Sequence, residues 1–225
     1  MIRDIGFVDL HCHFLPGIDD GAKDTNESEA AINQEIEDGC IGIAFSPHFY
    51  MNNESEEEFY ERRERAYRLL NPSFAHKMWA EVRMHPELPE CSLEKLSIGS
   101  YILLEFPYSK RPIWGDYVIK EVLKKDYIPV LAHIERFPYL TEADLKKYKS
   151  DGCILQSNAE LVIENPRLFK KLYKRGLIDI LASDAHGYSR PPQLLEAYAI
   201  TADLCGYESA KALIENSKQI FHTTK

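Results

Sequence analysis

The 225-residue sequence predicts a single α/β domain spanning residues 1–225, folded as a distorted seven-stranded barrel. Short runs rich in Ile, Val and Leu recur at intervals of roughly 20 to 40 residues, with helical patterns between them. The runs are almost continuously apolar, which is typical of strands buried on both faces of a parallel sheet. An open doubly wound sheet is the alternative, but no Gly-x-Gly-x-x-Gly motif follows the first run.

Seven runs are short enough to cross a sheet once, and we predict each of them as a strand. They cover residues 5–10, 41–45, 77–82, 101–104, 128–132, 153–156 and 177–182. Helical periodicity predicts helices over residues 26–39, 54–70, 117–125, 143–150, 166–175, 192–204 and 208–217. The first helix is expected to begin with a capping box formed by Asn26 and Glu29 and to end at Gly39.

The helix predicted over residues 54–70 carries regularly spaced Glu and Arg residues. Oppositely charged residues four apart stabilise a helix, and the predicted pairs are Glu58/Arg62, Glu61/Arg65 and Glu64/Arg68. We interpret this charged surface as a solvated outer face, and a docking surface is the alternative. The residues expected to face inward are Phe59, Ala66, Leu69 and Leu70.

The bulk composition argues against several kinds of partner. The net charge is −9 and no long Lys/Arg cluster occurs, so nucleic acid is not an expected partner. No apolar run approaches the roughly 18 residues of a membrane-spanning helix, so no membrane insertion is expected. The five cysteines are scattered without a CxxC motif and are expected to be reduced thiols. These features predict a soluble, cytoplasmic protein and leave its oligomeric state open.

Six of the seven predicted strands end in a His, Asp or Glu, and in a barrel all those ends open to one mouth. A single His-x-His pair is weak support for a metal site, but the joint pattern predicts one. The candidate ligands are His11, His13, Asp20, His48, Glu81, Glu105, His133, Asp184 and His186. The sixth strand differs, because it is followed by the neutral residues Gln156 and Asn158.

Charge supports the same interpretation. Four carboxylates at one mouth would repel one another unless cations or protons neutralised them. Imidazole and carboxylate ligands without thiolate suit Mn²⁺, Fe²⁺ or Zn²⁺, with Mg²⁺ possible, and the number of ligands indicates two or three divalent ions. Cys12, between two of the histidines, is expected to point into the barrel wall.

Two arginines follow the same strands: Arg136 comes three residues after His133, and Arg190 four residues after His186. An isolated arginine more commonly pairs with a surface carboxylate. Two of them at the rim of a metal-lined mouth instead indicate recognition of an anion, because guanidinium groups match phosphate oxygens.

Several segments, in this order, resemble the PHP superfamily. Within it they are similar to the bacterial manganese-dependent protein-tyrosine phosphatases of capsule and exopolysaccharide systems, the CpsB/YwqE type. The segments are DLHCHFLPGIDDGAKD, FSPHF, AEVR, LLEFP, LAHIERF, QSNAEL and ASDAHGYSRPP, between about residues 7 and 192. The GIDDG loop and the two arginines distinguish this type from PHP histidinol phosphatases and polymerase-associated PHP domains.

The resemblance implies a distorted, TIM-like (β/α)7 barrel (the PHP fold) with three metals at the C-terminal ends of its strands. It implies one metal on His11, His13, Glu81 and Asp184, a second on Glu81, Glu105 and His133, and a third on Asp20, His48 and His186. Arg136 and Arg190 would bind the phosphate. The candidate catalytic residues are Arg136, Arg190, Asp20 and His48.

The implied activity is metal-dependent hydrolysis of phosphotyrosine on proteins, by attack of a metal-bound hydroxide. Mn²⁺ is the expected metal, and the expected partner is the phosphotyrosine tail of a bacterial tyrosine kinase of polysaccharide synthesis. A PHP phosphatase for a small phosphomonoester, such as histidinol phosphate, is the first alternative. The second is a non-catalytic binding module on the same scaffold.

Overall fold

The structure, a computed structural model, describes residues 2–224. Its strands are β1 (Phe7–Cys12), β2 (Cys40–Phe45), β3 (His48–Phe49), β4 (His76–Met78), β5 (Glu81–Arg83), β6 (Ser97–Ile98), β7 (Tyr101–Glu105), β8 (Ile128–Leu131), β9 (Ile154–Asn158) and β10 (Ile180–Ala182). Its α-helices are α1 (Ile2–Ile5), α2 (Thr25–Glu37), α3 (Glu56–Leu70), α4 (Leu93–Leu96), α5 (Gly115–Lys124), α6 (Glu142–Ser150), α7 (Ala159–Glu164), α8 (Pro166–Lys174), α9 (Leu194–Cys205) and α10 (Tyr207–Phe221). Two short 3₁₀ helices cover Leu88–Glu90 and Ile134–Arg136.

The strands form two parallel groups that follow one another around a curled surface. One group has the order β1-β2-β4, and the other has the order β10-β9-β8-β7-β5-β3, with β6 pairing antiparallel to β7. β2 leads into β3, and β4 leads into β5, after two residues each. The backbone ladder continues across these breaks, since Trp79 N–H donates to Phe45 O and Glu81 N–H donates to Pro47 O.

The first and last strands meet near their C-terminal ends. A single parallel bridge joins Cys12 to Ala185. Beside it, His13 N–H donates to Ala185 O at 2.9 Å, and Asp184 N–H donates to His11 O at 2.7 Å. The fold is therefore a mixed α/β fold built on a curled parallel sheet, and the curl brings ligand candidates from both ends of the chain together.

The two-residue period of the strands separates an apolar floor from a polar mouth. The inner cluster contains Leu103, and two residues further along β7 is the buried Glu105. On β9, Ile154 packs against the same inner cluster, and two residues further along is the buried polar residue Gln156. Opposite side chains pack outward into a larger core between the sheet and the helices. Buried polar side chains are thus held at the strand ends, above tightly packed hydrocarbon.

Several element boundaries differ from the sequence prediction. Residues 2–5 form a helical turn, and the first strand is displaced to Phe7–Cys12. The predicted third strand is divided into β4 and β5, because Trp79 and Ala80 interrupt the regular pairing. The helix cap expected at Asn26 is wrong, since Asp24 is the N-cap and accepts the N–H of Glu27 at 3.0 Å.

The charged helix α3 follows the prediction only in part. Phe59 and Ala66 are buried as expected, but Leu69 is 67% exposed. The pairs Glu61/Arg65 and Glu64/Arg68 form. Glu58 instead closes a capping box with Ser55, and Arg62 pairs with Glu54, so the predicted Glu58/Arg62 pair is replaced. Within residues 2–224, no helix has both the length and the apolar character needed to cross a membrane.

Candidate metal centre

Four predicted ligands, His11, His13, Glu81 and Asp184, converge at the end of β1, the start of β5 and just after β10. The Nε2 atoms of the two histidines are 3.2 Å apart. Both lie 3.3 Å from Oε2 of Glu81, and 3.5 Å and 3.4 Å from Oδ1 of Asp184. All four side chains are buried. Two nitrogens and two oxygens thus surround one point, as in a metal site with mixed imidazole and carboxylate ligands.

A second group shares Glu81. His133 Nε2 is 2.7 Å from Glu81 Oε1 and 3.6 Å from Glu105 Oε1. His48 also approaches the Glu81 carboxylate, since its Nδ1 atom lies 2.8 Å from Oε2 of Glu81. Glu81 therefore lies between several imidazoles and can bridge two neighbouring sites.

The third group lies at the outer side of the mouth. Oδ1 of Asp20 is 3.3 Å from His48 Nε2 and 3.4 Å from His186 Nε2. His13 can also offer a ligand atom to this group. The side chain of Asp20 is 71% exposed, whereas the histidines are buried. This is the most open of the three groups.

Hydrogen bonds on the opposite ring nitrogen direct two of these histidines. Nδ1 of His11 is 3.1 Å from the amide oxygen of Gln156, and Nδ1 of His13 is 2.9 Å from Oδ2 of Asp19. Because these oxygens only accept, each contact places the proton on Nδ1 and turns the Nε2 lone pair toward the cluster. Nδ1 of His186 is 2.9 Å from Asp184 O but 2.6 Å from Nη2 of Arg190, which only donates, so these two contacts require opposite tautomers of the ring.

The carboxylates at the mouth are balanced by close contacts with histidines and by arginines that pair with Asp184 and Glu105. Burial raises the pKa of Glu81, but His11 and His48 outweigh it and hold that pKa well below its usual range. Burial lowers the pKa of His48, yet Glu81 and Asp20 raise it to about 9. Oε2 of Glu81 and Oε1 of Glu105 make no hydrogen bond within the described residues. The donor set therefore fits divalent cations, which would take the place of the protons on the histidines.

Residues that the sequence analysis did not assign support the ligands. Gln156 accepts the backbone N–H of His133 at 2.9 Å and donates to Asn158 Oδ1 at 2.8 Å. Asn158 in turn donates to Oδ2 of Asp184 at 2.7 Å. The sequence marks these two residues, because Gln156 and Asn158 stand at a strand end where every other predicted strand ends in a His, Asp or Glu. Their neutral amide groups position the ligands through hydrogen bonds and do not themselves bind a cation.

Two ligand candidates have a left-handed backbone. The φ angles of His133 and Asp184 are +29° and +50°, a region that side chains with a Cβ rarely adopt. Each residue lies two positions after the end of a strand, His133 after β8 and Asp184 after β10. Such strain persists only where surrounding contacts hold it, and it accumulates at functional sites.

Both predicted arginines reach the cluster. Nη1 of Arg136 is 2.8 Å from Oδ2 of Asp184, and Nη1 of Arg190 is 2.9 Å from the same oxygen. Arg136 is also 3.3 Å from Glu160. The two guanidinium groups, the three ligand groups and Tyr108 line a cavity of about 170 Å³. An anion in this cavity would meet both arginines.

The structure also defines the surroundings of Asp19 and of the cysteines. Cys12 is fully buried, with Sγ 3.6 Å from Ala44 O, so the prediction that it points into the wall is confirmed. Asp19, which the sequence left unassigned, is the acceptor for His13. The five cysteines, all in the described part of the chain, are free thiols.

Comparison with known proteins gives consistent matches over nearly the whole chain. The chain is 29% identical over 231 residues to the tyrosine-protein phosphatase YwqE of Bacillus subtilis, covering 94% of this chain and 90% of that relative. It is 28% identical over 239 residues to the tyrosine-protein phosphatase CpsB of Streptococcus pneumoniae, covering 95% and 97%.

A solved structure of these two proteins, described as unique metal-dependent tyrosine phosphatases, matches with a TM-score of 0.82 at 22% identity. The match covers 97% of this chain and 95% of the solved chain, and it confirms a mixed α/β fold built on a curled parallel sheet. The family model for capsular polysaccharide synthesis, CpsB/CapC, matches residues 7–222. The predicted resemblance is thereby confirmed, and the chain belongs to the CpsB/CapC family of capsular polysaccharide synthesis.

Proposed function

We propose that this protein is a metal-dependent phosphomonoesterase that hydrolyses phosphotyrosine on proteins. The observation that carries the proposal is the pair Arg136 and Arg190, both within 2.9 Å of Asp184 in a cavity lined by the three ligand groups. Two guanidinium groups beside clustered metal-ligand candidates suit a phosphate ester. The curated relatives described above carry the name tyrosine-protein phosphatase.

We assign two or three divalent ions, most simply Mn²⁺, to this cluster. His11, His13, Glu81 and Asp184 would hold one ion, Glu81, Glu105 and His133 a second, and Asp20, His48 and His186 a third. Bound divalent ions lower the pKa of water and stabilise negative charge on phosphoryl oxygens. The unbonded oxygens of Glu81 and Glu105 and the directed Nε2 atoms support this assignment.

The chain's own residues would orient the ester. Arg136 and Arg190 would each turn from Asp184 toward the phosphoryl oxygens and stabilise their charge as the ester bond breaks. A tyrosine phenolate, whose conjugate acid has a pKa of about 10, leaves with less proton donation than an alkoxide needs. Asp20 and His48 are the candidates for that donation.

Membership of the family supports further proposals about the substrate, the cellular location and the fold. We propose that the substrate is the phosphotyrosine tail of a bacterial tyrosine kinase of polysaccharide synthesis, and that the enzyme acts in the cytoplasm as one domain. We also propose that the curled sheet closes as a (β/α)7 barrel of the PHP type. The bridge between Cys12 and Ala185 supports the closure.

Turnover of a phosphotyrosine peptide with Mn²⁺ tests the activity, with histidinol phosphate as the competing substrate. We expect kcat/KM to be higher for the peptide, and a preference for histidinol phosphate would favour the metabolite phosphatase instead. His11→Ala should lose bound metal and at least about 100-fold in kcat/KM, because a buried ligand is removed. His222→Ala, at the end of α10, is the matched control and should keep both.

Arg136→Ala separates phosphate binding from metal binding. We expect about a 100-fold loss in kcat/KM with metal content unchanged, because one donor to the phosphoryl oxygens is removed. Arg175→Ala, which breaks a surface pair with Glu142, should leave both values near those of the wild type. Full activity of Arg136→Ala would refute the assigned role of this residue.

A further inference from the structure

A second, larger cavity opens next to the metal-ligand cavity. Its volume is about 440 Å³, compared with about 170 Å³ for the cavity with the ligand groups. The residues that form its walls include Tyr50, Met51, Arg83, Met84, Tyr108 and Trp114. We call this cavity the side groove. None of the predicted metal ligands or the two phosphate-binding arginines lines it.

The side groove and the ligand cavity share a wall made of Tyr50, Arg83 and Tyr108. The Arg83 guanidinium lies over the Tyr50 ring, 4.3 Å from its centroid, and 5.2 Å from the centroid of Tyr108. It also binds Glu105 Oε2 at 2.8 Å. In a peptide whose phosphate lies between Arg136 and Arg190, the tyrosyl ring would lie along this shared wall, and the residue next to the phosphotyrosine would reach the side groove.

The chemistry of the side groove favours an apolar occupant. Arg83 is the charged residue of the shared wall, and its charge is already paired with buried Glu105. The remaining walls combine two thioethers, Met51 and Met84, and the indole of Trp114 with the polar side chains of Asn52, His85 and Ser109. Thioether and aromatic walls adapt to large apolar side chains and make favourable contacts with aromatic rings.

We infer that the side groove binds a large apolar side chain, preferably aromatic, that neighbours the phosphotyrosine in the substrate peptide. The inference rests on the proposed phosphotyrosine phosphatase function and adds a sequence preference to it. A free phosphate ester of a small metabolite has no such neighbour and would leave the side groove unused. The same contact would raise the specificity for a protein substrate over phosphotyrosine alone.

A matched set of peptides tests the preference. Each peptide carries one phosphotyrosine, with Phe or Ala at the position before it or after it, in an otherwise constant sequence. We expect Phe on one side to raise kcat/KM about tenfold over Ala, because the contact removes an aromatic surface from water. Equal kcat/KM for Phe and Ala on both sides would overturn the inference while leaving the proposed function intact.

Variants locate the preference in the side groove. Met51→Ala and Trp114→Ala should each reduce the Phe-to-Ala ratio to within about twofold, while the Ala peptide is still hydrolysed and so reports a folded enzyme. Ile113→Ala is the control from the same loop, since Ile113 is fully exposed and lies outside the groove, and it should keep the tenfold ratio. An unchanged ratio in both groove variants would overturn the inference. Failure of the wild type to hydrolyse any of the peptides would overturn the proposed function and the inference together.

Discussion

At the scale of single residues, Asp19 joins three parts of the candidate site. Its Oδ2 atom is 2.9 Å from His13 Nδ1 and accepts the backbone N–H of His48 at 3.0 Å. Its Oδ1 atom accepts the N–H of Gly21 at 3.0 Å, which closes the loop that carries Asp20. Burial raises the pKa of Asp19, but His13 and His48 outweigh burial and lower it to about 2. Asp19 therefore stays ionised and fixes the orientation of the His13 ring.

Asp19→Asn should weaken metal binding although no expected ligand is removed. The amide keeps the size of the side chain but loses the charge that holds the Nδ1 proton of His13. We expect a 10- to 100-fold lower affinity for Mn²⁺, measured by calorimetric titration of metal-free protein. Asp203→Asn, an exposed residue of α9, is the control. Equal affinity in both variants would show that Asp19 only shapes the loop.

At the scale of elements, the first turn of α2 supports two loops of the site. Asp24 caps the helix by accepting the N–H of Glu27. Glu27 is buried and accepts the N–H of Lys23 at 3.0 Å and the N–H of Tyr188 at 2.5 Å. These two N–H groups belong to the loops that follow Asp20 and His186 respectively. The start of one helix thus ties together two segments that supply ligands to the outer group.

Asp24 is the N-cap of α2 in the structure, and Asn26 is the N-cap that the sequence predicted, so the effects of their substitution on stability can be compared. Asp24→Ala should lower the free energy of unfolding by about 1 kcal/mol, because the Glu27 N–H loses its acceptor. Asn26→Ala, at the exposed position that the sequence pattern favoured, should change it by less than about 0.5 kcal/mol. Urea denaturation of both variants measures the difference. A larger loss for Asn26→Ala would mean that the cap lies at the later residue.

At the scale of the whole molecule, the convergence of the ligand candidates was predictable, and the hydrogen bonds that support them were not. Strand ends could be located because apolar runs stop abruptly, and the ends of parallel strands share one mouth. His11, His13 and Asp184 therefore meet as the sequence predicts. Gln156 stood out only as a neutral residue at a strand end, because its hydrogen bond to the distant His11 leaves no periodic signal, and Asp19 was left unassigned because a turn residue follows no periodic pattern. The cap at Asp24 was missed because the same residue types also stand two positions later.

A buried carboxyl group should make global stability depend on pH. Burial first, and then the nearby Asp9 charge, raise the pKa of Glu35 on α2 well above its ordinary value. The folded state therefore retains this proton at pH values where the unfolded chain, with a pKa of about 4.3, has lost it. The stabilisation that this proton provides is fully present at pH values below the pKa of Glu35 in the unfolded chain. It falls by up to about 1.4 kcal/mol per pH unit as the pH rises toward the folded pKa.

Glu35→Gln should remove this part of the pH dependence. We expect wild-type stability to fall between pH 5 and pH 8 by more than that of the variant, measured by urea denaturation with a chelator present throughout. Glu29→Gln, on the exposed side of the same helix, is the matched control and should follow the wild type. Parallel curves for the wild type and Glu35→Gln would show that Glu35 titrates normally.

The contact between the first and last strands has a consequence for biosynthesis. Ser183 donates to the carboxylate of Asp9, 174 residues away in the sequence, immediately beneath the ligands of β1 and β10. During translation, His11 and His13 leave the ribosome long before Asp184 is added, so the nascent chain carries only a partial ligand set for most of its synthesis. Such distant pairing also delays folding, since the whole intervening loop must be ordered first. Under the proposed metal assignment, the complete ligand set would exist only after nearly the entire chain has been made, and a truncated product would bind metal more weakly.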